Sequence, residues 1–436
     1  EDILANGAEK KKALTEEYAA RIKDLDNKWN ENVNNRLNSL KEEMDMDIDL
    51  KLKEQDQRAS DAIHRLERHY DQNHAAYVEQ LFQEINLLTY SAITAKLKAM
   101  SGRLLTDEDF RKLAFSDNVS AAVEALKSCP SYSGIFDDQD VEALHREQIE
   151  QLLWVSLYRD FSSLYRFATI RQRAFLDLYF MHFEIDIMKK CLRDAASGRP
   201  SVLDLSNFEE FFRKHSHLNL VGLAQCTSIE GFIEGLSGSF YYAPLKELLD
   251  QGVSSPFDYE SALDILYFIS LWKNLKKKLD PKEQGTVIEC IGEKIDLLNL
   301  EWLARAKQHY HLSEESLKSL LIPVYFRLRK KQVQELAATE SKEEFIKLLR
   351  TTRYGNRIFS GRIDLSQPRE VPLKKLFRSL LDAVYQASGR KNPYSAASIN
   401  TYFYFKEEET RKLITTIEGI RYHLDGNSIL SCLAES

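Results

Sequence analysis

Apolar residues along the first 85 positions recur at Leu14, Tyr18, Ile22, Leu25, Trp29, Val33, Leu37, Leu40 and Met44, a mean spacing of about 3.75. Steps of four outnumber steps of three, and a period above 3.6 predicts a long straight helix or a right-handed supercoil rather than a heptad coil. The remaining positions are mostly Lys, Glu, Asp, Asn and Gln, so the stripe is narrow and needs a partner helix to be stable. Residues 1–85 contain no proline, and Gly7 is their only glycine. The Asp45-Asp47-Asp49 alternation has the opening of a calcium loop, but Leu50 stands where that loop needs glycine. It reads as a solvated acidic face.

From about residue 86 the text becomes dense in Leu, Phe and Tyr. Long helical patterns cover roughly 146–196, 258–279 and 287–311, with further helices near 371–387 and 394–422. Ser197-Gly198-Arg199-Pro200 and Asp280-Pro281 are helix stops. Thr106-Asp107-Glu108-Asp109 and Ser313-Glu314-Glu315 read as N-caps followed by acidic first turns, which suit the helix dipole.

One box occurs three times, about 110 residues apart. It reads Leu113-Ala114, Val123, Leu126, Tyr132; then Leu223-Ala224, Ile233, Leu236, Tyr242; then Leu336-Ala337, Ile346, Leu349, Tyr354. Repetition at a fixed period predicts equivalent units packed around an axis or in a row. The second and third boxes follow long apolar helices with an acidic-to-basic run, Glu184 to Arg193 and Asp296 to Arg305, whereas only a short helix precedes the first. The helix with matching character at the other end of the chain, Glu407 to Arg421, is expected to complete the first unit. The expected architecture is all-α: three similar helical units in a closed pseudo-three-fold funnel, preceded by a long helix. Its divisions are 1–85, 86–145, 146–256, 257–370 and 371–436, the last closing onto the first unit.

Composition narrows the function. The 436 residues include only 16 Gly and 9 Pro, in keeping with helix rather than Gly-loop folds. The net charge is −7, and residues 1–85 alone account for about −7, twenty acidic against thirteen basic, leaving a neutral body. No basic face points to nucleic acid. Cys129, Cys191, Cys226, Cys290 and Cys432 lack metal or redox spacing and read as reduced thiols. The most apolar run, Leu263 to Trp272, is about half the length a membrane span needs, so the chain is expected to be soluble. There is no Gly-rich loop before Lys-Ser/Thr for a nucleotide and no Gly-x-Ser-x-Gly elbow. His215-x-His217 and His309-x-His311 have the wrong helical spacing to share a metal. The aromatic cluster Tyr158, Phe161, Tyr165, Phe167, Phe175, Tyr179 and Phe180 reads as core. No catalytic, metal or cofactor site is expected.

Several separated blocks resemble one family. Residues from about 86 onward are similar to the C subunit of the V/A-type rotary ATPases, the relative of the d subunit of the eukaryotic V-ATPase. The similarity rests on Ala95-Lys96-Leu97-Lys98-Ala99-Met100 to Leu104-Leu105-Thr106, and on Gly292 to Leu300 running into Arg305-Ala306-Lys307. Leu321-Ile322-Pro323, Thr351-Thr352-Arg353-Tyr354, Asn392-Pro393-Tyr394, Phe405-Lys406-Glu407 and Gly419-Ile420-Arg421-Tyr422 continue it. The resemblance implies a non-catalytic central-stalk collar that couples the ATP-handling head to the membrane ion-translocating ring. Its expected partners are the central shaft proteins and the rotor ring, on the cytoplasmic side of the membrane, with neither nucleic acid nor nucleotide bound directly. The family-motif residues, expected to be structural or partner contacts, are Leu105, Asp296, Asn299, Arg305, Pro323, Tyr354, Lys406, Glu407 and Arg421. Residues 1–85 look like a helical protein of the peripheral stalk of the same enzymes, and the missing initiator Met suggests that the chain starts inside a longer product. The alternative, from another class, is a helical-repeat scaffold with an N-terminal coil, which predicts an open array.

Overall fold

The computed structural model describes residues 2–69, 90, 92–136, 144, 146–201, 209–279, 281–309, 317, 320–360 and 372–435, all of them helix, turn or loop. The chain forms two compact units, Glu1–Leu88 and Thr89–Ser436. The Ser313-Glu314-Glu315 cap and His311 lie outside the described residues.

The first unit is one continuous helix, α1 (Asp2–His69). Six residues of its stripe are uncovered: Leu14, Tyr18, Ile22, Leu25, Trp29 and Met44 are all more than half exposed, Trp29 at 69%. The Asp45–Asp49 stretch is helical, and Asp47 pairs with Lys51 one turn on. Pairs of this kind, such as Lys28 with Asp24 at 2.6 Å, steady the polar surface by only a few tenths of a kcal/mol each.

The second unit is built on six long helices: α5 (Arg146–Phe167), α6 (Ile170–Ala196), α11 (Pro256–Lys278), α12 (Pro281–His309), α16 (Leu373–Lys391) and α17 (Ala396–Arg421). The single pattern read over 146–196 is broken in two. Thr169 takes an extended conformation and forms a capping box with Gln172, starting α6 afresh after Ala168. Each long helix packs on the next: α6 on α11, α11 on α12, α12 on α16, α16 on α17, and α17 back on α5. The cycle is completed between α5 and α6 by rings, with Tyr158 and Phe183 edge to face at 5.1 Å and Phe161 beside Phe180 at 6.0 Å.

Short helices hang from this frame. They are α2 (92–101), α3 (Asp107–Ala114) and α4 (Val119–Lys127); α7 (Glu209–His215), α8 (Leu220–Ala224), α9 (Ile229–Gly235) and α10 (Tyr242–Asp250); and α13 (Lys330–Ala338), α14 (Lys342–Leu349) and α15 (Arg353–Ile358). The C-terminal α18 (Gly426–Glu435) packs on α17 and α3. Side-chain caps start several of the short helices, Thr106 with Asp109, Asn118, Asn219, Ser228, Ser341 and Thr352 among them. Each box packs its Leu-Ala pair and following aliphatics against one long helix. Leu336, Ala337, Ile346 and Leu349 join Leu297, Leu300 and Leu303 of α12, while Leu223, Ala224, Ile233 and Leu236 join the core that holds Ile185 and Met188 of α6. Leu113, Ala114, Val123 and Leu126 join Leu413, Ile417 and Ile420 of α17, about 300 positions away. The aromatic cluster is largely core: Phe161, Phe175 and Phe180 are buried, whereas Phe167 is exposed.

Two glycines mark close approaches. A Cβ on Gly292 of α12 would lie 2.4 Å from the Phe326 ring, and one on Gly355 would lie 2.0 Å from the Leu349 carbonyl oxygen. Gly292→Ala is expected to cost about 1–3 kcal/mol by overpacking, and Phe326→Leu in the same chain should recover part of it. Urea unfolding of the single and double variants checks this; an unchanged midpoint for the single variant would contradict it.

Candidate functional site

The polar chemistry of Thr89–Ser436 gathers where the boxes meet the long helices. Asp296 of α12 is fully buried, yet both its oxygens are used. The backbone N–H groups of Phe326, Arg327 and Leu328 donate to it at 3.2, 2.6 and 3.0 Å, and the Tyr354 hydroxyl donates at 2.9 Å. Those three N–H groups belong to an irregular segment before α13 and would otherwise lack partners, a cost of about 1–3 kcal/mol for each buried group. One turn on, Asn299 clasps the same segment, donating to the Ile322 carbonyl at 3.0 Å and accepting from the Ile322 N–H at 2.9 Å. Gly292 leaves room for Phe326, and buried Glu293 pairs with Arg357 at 2.7 Å. Gly292 to Asn299 is therefore one face that cradles residues 321–328.

The arrangement recurs. At the second box Glu184 of α6 accepts from the Tyr241 hydroxyl at 3.1 Å and from the Ser216 hydroxyl. At the first, Glu409 of α17 accepts from the Leu105 N–H and, at 2.7 Å, from the Tyr132 hydroxyl. Leu105, Ser216 and Leu328 stand eight, seven and eight residues before the Leu-Ala pair, and the tyrosines stand 18 or 19 residues after its leucine. Each clasp thus fastens both ends of a box to one carboxylate. Burial pushes Asp296 and Glu184 upward, and their hydrogen-bond donors oppose this without cancelling it. Burial, and then the facing carboxylate, also raises all three phenols, which stay protonated as donors.

One sequence reading is corrected here. The tyrosine of the second box is Tyr241, not Tyr242; Tyr242 turns outward toward Glu234. The acid of α17 that holds the first box is Glu409, whereas Glu407, two residues earlier, leaves the helix on the opposite side. Glu407 instead accepts from the Tyr179 hydroxyl and lies 3.5 Å from both His182 Nε2 and Arg411.

The family-motif residues divide accordingly. Asp296, Asn299 and Tyr354 share the third clasp, with exposed Pro323 in the cradled segment. Leu105 and Lys406 share the first; the Lys406 ammonium is fully buried, 2.6 Å from Glu409 and 4.2 Å from the Tyr132 ring centroid. Arg421 lines a small recess with Arg146 and Glu418, and Arg305 is exposed, apart from the clasps. Sequence reasoning misses Glu409, Tyr241 and His182. Glu409 and Tyr241 lie within two residues of one that it singles out, so the signal there is one of register. Among the described residues no group of three or more His, Cys, Asp or Glu could hold a metal ion, and no helix is long and apolar enough to cross a membrane. His215 packs edge to face on Tyr165 at 4.5 Å.

Fold and site together define an all-helical protein whose buried polar groups hold its own modules in place. The chain belongs to the ATP synthase (C/AC39) subunit family, whose model matches residues 93–432. It is 25% identical over 346 residues to the C subunit of the A-type ATP synthase of Thermococcus kodakarensis, covering 79% of this chain and 90% of that one. It is 27% identical to the C subunit from Pyrococcus horikoshii over 74% of this chain and 84% of the relative, and 23% identical to that of Methanocaldococcus jannaschii over 80% and 87%. The expected kinship with the C subunit of the V/A-type ATP synthases is thereby established, and α1 lies outside the matched range.

Tyr354→Phe removes one of four donors to Asp296 and is expected to cost about 1–3 kcal/mol, whereas Asp296→Ala takes the acceptor from three backbone N–H groups, that of buried Leu328 among them, and should cost more. Equal unfolding midpoints for the two variants would refute the clasp.

The His182–Glu407 contact makes stability depend on pH. Burial works against the His182 imidazolium, but Asp186 and Glu407 outweigh both burial and the opposing Lys294, and the net direction is up from 6.5. Burial likewise opposes ionised Glu407, yet His182, Arg411 and Lys294 hold it down at about 2. A raised imidazole adds stability that is full below 6.5 and is lost as pH rises through its folded value. A lowered carboxylate adds stability that is full above 4.5 and is lost as pH falls toward about 2. The pair is strongest between those limits, so the thermal midpoint is expected to fall from pH 6 to pH 8.5 by less in His182→Gln than in the native chain. Identical falls would remove His182 from this role.

Proposed function

We propose that this chain is the non-catalytic collar of a V/A-type rotary ATPase, passing torque between the soluble ATP-handling head and the membrane ion-translocating ring. Family membership supports the setting, and one observation carries the role: three boxes clasped in the same register to three long helices that belong to one cycle of contacts. A cycle closed by α17 on α5 favours a closed three-part body over an open array. Such a body presents related surfaces around an axis and grips a single shaft at its centre. In this reading the partners are the central shaft proteins on one face and the ring on the other, at the cytoplasmic side of the membrane, and the three equivalent units are completed as 86–145 with 371–436, 146–256, and 257–370. Residues 1–85 are a stalk-like helical extension, supported by the uncovered apolar stripe of α1, that takes a partner helix.

The test is the complex reconstituted in vesicles with and without this chain. Without it, ATP hydrolysis is expected to persist while ion transport is lost; transport that persists without the chain would overturn the proposal. The intact mass of the chain in the same preparation tests the extension, since two separate polypeptides would show that the fusion is not the working form.

A further inference from the structure

On α1, six residues of the apolar stripe, Leu14, Tyr18, Ile22, Leu25, Trp29 and Met44, are more than half exposed. A narrow stripe on an otherwise polar helix is stabilised chiefly by packing on another helix. With Val33, Leu37 and Leu40 the stripe has nine positions, and their spacing reads the same in both directions about Trp29. Leu14 mirrors Met44, Tyr18 mirrors Leu40, Ile22 mirrors Leu37 and Leu25 mirrors Val33, each pair equidistant from Trp29 to within one residue. Centring on any other stripe position leaves part of the stripe without a counterpart. The stretch so matched is about 45 Å of helix.

Charge follows the same symmetry. Lys10 and Lys11 stand four and three residues before Leu14, and Asp45 and Asp47 stand one and three residues after Met44, all at helical positions flanking the stripe. In an antiparallel pair centred on Trp29, like flanks face each other. Lys10 then comes opposite Asp47 and Lys11 opposite Asp45, at both ends of the pair. In a parallel pair in register, Lys10 would meet Lys11 and Asp45 would meet Asp47. Asp47 also holds Lys51 one turn on, yet residues 42–51 still carry five acids and one base. Arg21 and Arg36 match as like charges, with Glu17 and Asp24 one turn from Arg21 on either side. A two-fold interface must be complementary to itself. The stripe and its flanks meet that demand, which a partner of different sequence would not impose.

We infer that α1 pairs with the α1 of a second copy of this chain, antiparallel, about a two-fold axis at Trp29. The inference rests on the reading of residues 1–85 as an extension that takes a partner helix, and it names that partner and its direction. The nine apolar positions of each copy cover those of the other, the two Trp29 side chains meet at the axis, and the two His69 ends lie about 120 Å apart.

The experiment uses the full chain with Cys432→Ser, which removes its exposed thiol. Sedimentation equilibrium is expected to show a dimer. Under mild oxidation a Leu14→Cys chain should crosslink to a Met44→Cys chain, and neither to itself. Lys10→Glu with Lys11→Glu should weaken the dimer about tenfold, the scale of a few exposed ion pairs reversed together. Adding Asp45→Lys and Asp47→Lys to the same chain should restore it, because the charges are then exchanged end for end. Self-crosslinking of either cysteine variant would mean a parallel pair and overturn the inference, as would a dimer indifferent to the charge reversal. A chain that stays monomeric would overturn it too, and hydrogen exchange of α1 in the whole complex then separates the two readings. Protection of α1 there by another protein's helix would leave the partner-helix reading standing without self-pairing. Free exchange of α1 both alone and in the complex would overturn that reading as well.

Discussion

The helical body depends on a buried carboxylate that accepts hydrogen bonds from both ends of a box. The boxes consist of helices such as α8, five residues long, and α15, six residues long. Helices this short have no stability of their own in water. Their apolar faces give them a place to rest but do not fix their register, since several rotations of a one- or two-turn helix bury similar area. A carboxylate that demands particular N–H and O–H donors does fix it. At Asp296 the donors are three successive backbone amides and Tyr354, so a shift of one residue in the 326–328 segment would leave buried groups unpaired. The same demand, met with fewer donors at Glu184 and Glu409, gives each box one position on its helix.

A consequence falls on α17. Its apolar face covers the first box, and Glu409 bonds to Leu105 and Tyr132, 304 and 277 residues upstream. It also meets α5, where the Tyr402 hydroxyl donates to Asp160. The other two boxes can form as soon as their stretch of chain exists, because α6 and α12 directly precede them. The first waits for the C-terminus. Closing a loop of that length costs entropy, and the contacts made there, including the fully buried Lys406 paired with Glu409, offset it.

Much of this was legible in the sequence, and the boundary of legibility has a physical cause. Periodicity found the long helices because each buries one wide apolar stripe, and the Thr106 cap was found because its geometry is local. The box was found because its apolar spacing repeats. What escaped was register within runs of similar residues. Glu407, Glu408 and Glu409 are adjacent letters but leave α17 about 100° apart. Glu409 enters the clasp, Glu408 meets Arg378 and Glu407 turns to His182. Tyr241 and Tyr242 differ in the same way, one bonded to Glu184 and its neighbour to Glu234. Apolar periodicity is averaged over a whole helix and tolerates such one-step errors, whereas a hydrogen bond does not. The break at Ala168 escaped for a related reason: both flanks are strongly helical, and only the Thr169–Gln172 box separates them.

Repetition also explains why the clasp residues differ in kind from His182, Lys294 and Glu407, which stand two residues before them and line one cavity. The three clasps perform one task in three places, so the same chemistry, an acid and a phenol, serves in each. In the cavity the three equivalent positions share one lining, and identical charges there would repel. Three copies of Glu407 or of Lys294 around a single cavity would leave like charges within a few ångströms of one another, each shifting its neighbours toward the neutral form. Unlike residues avoid that conflict: His182 and Glu407 attract, and Lys294 lowers Glu407 further. Divergence of these three positions thus follows from electrostatics within the chain itself.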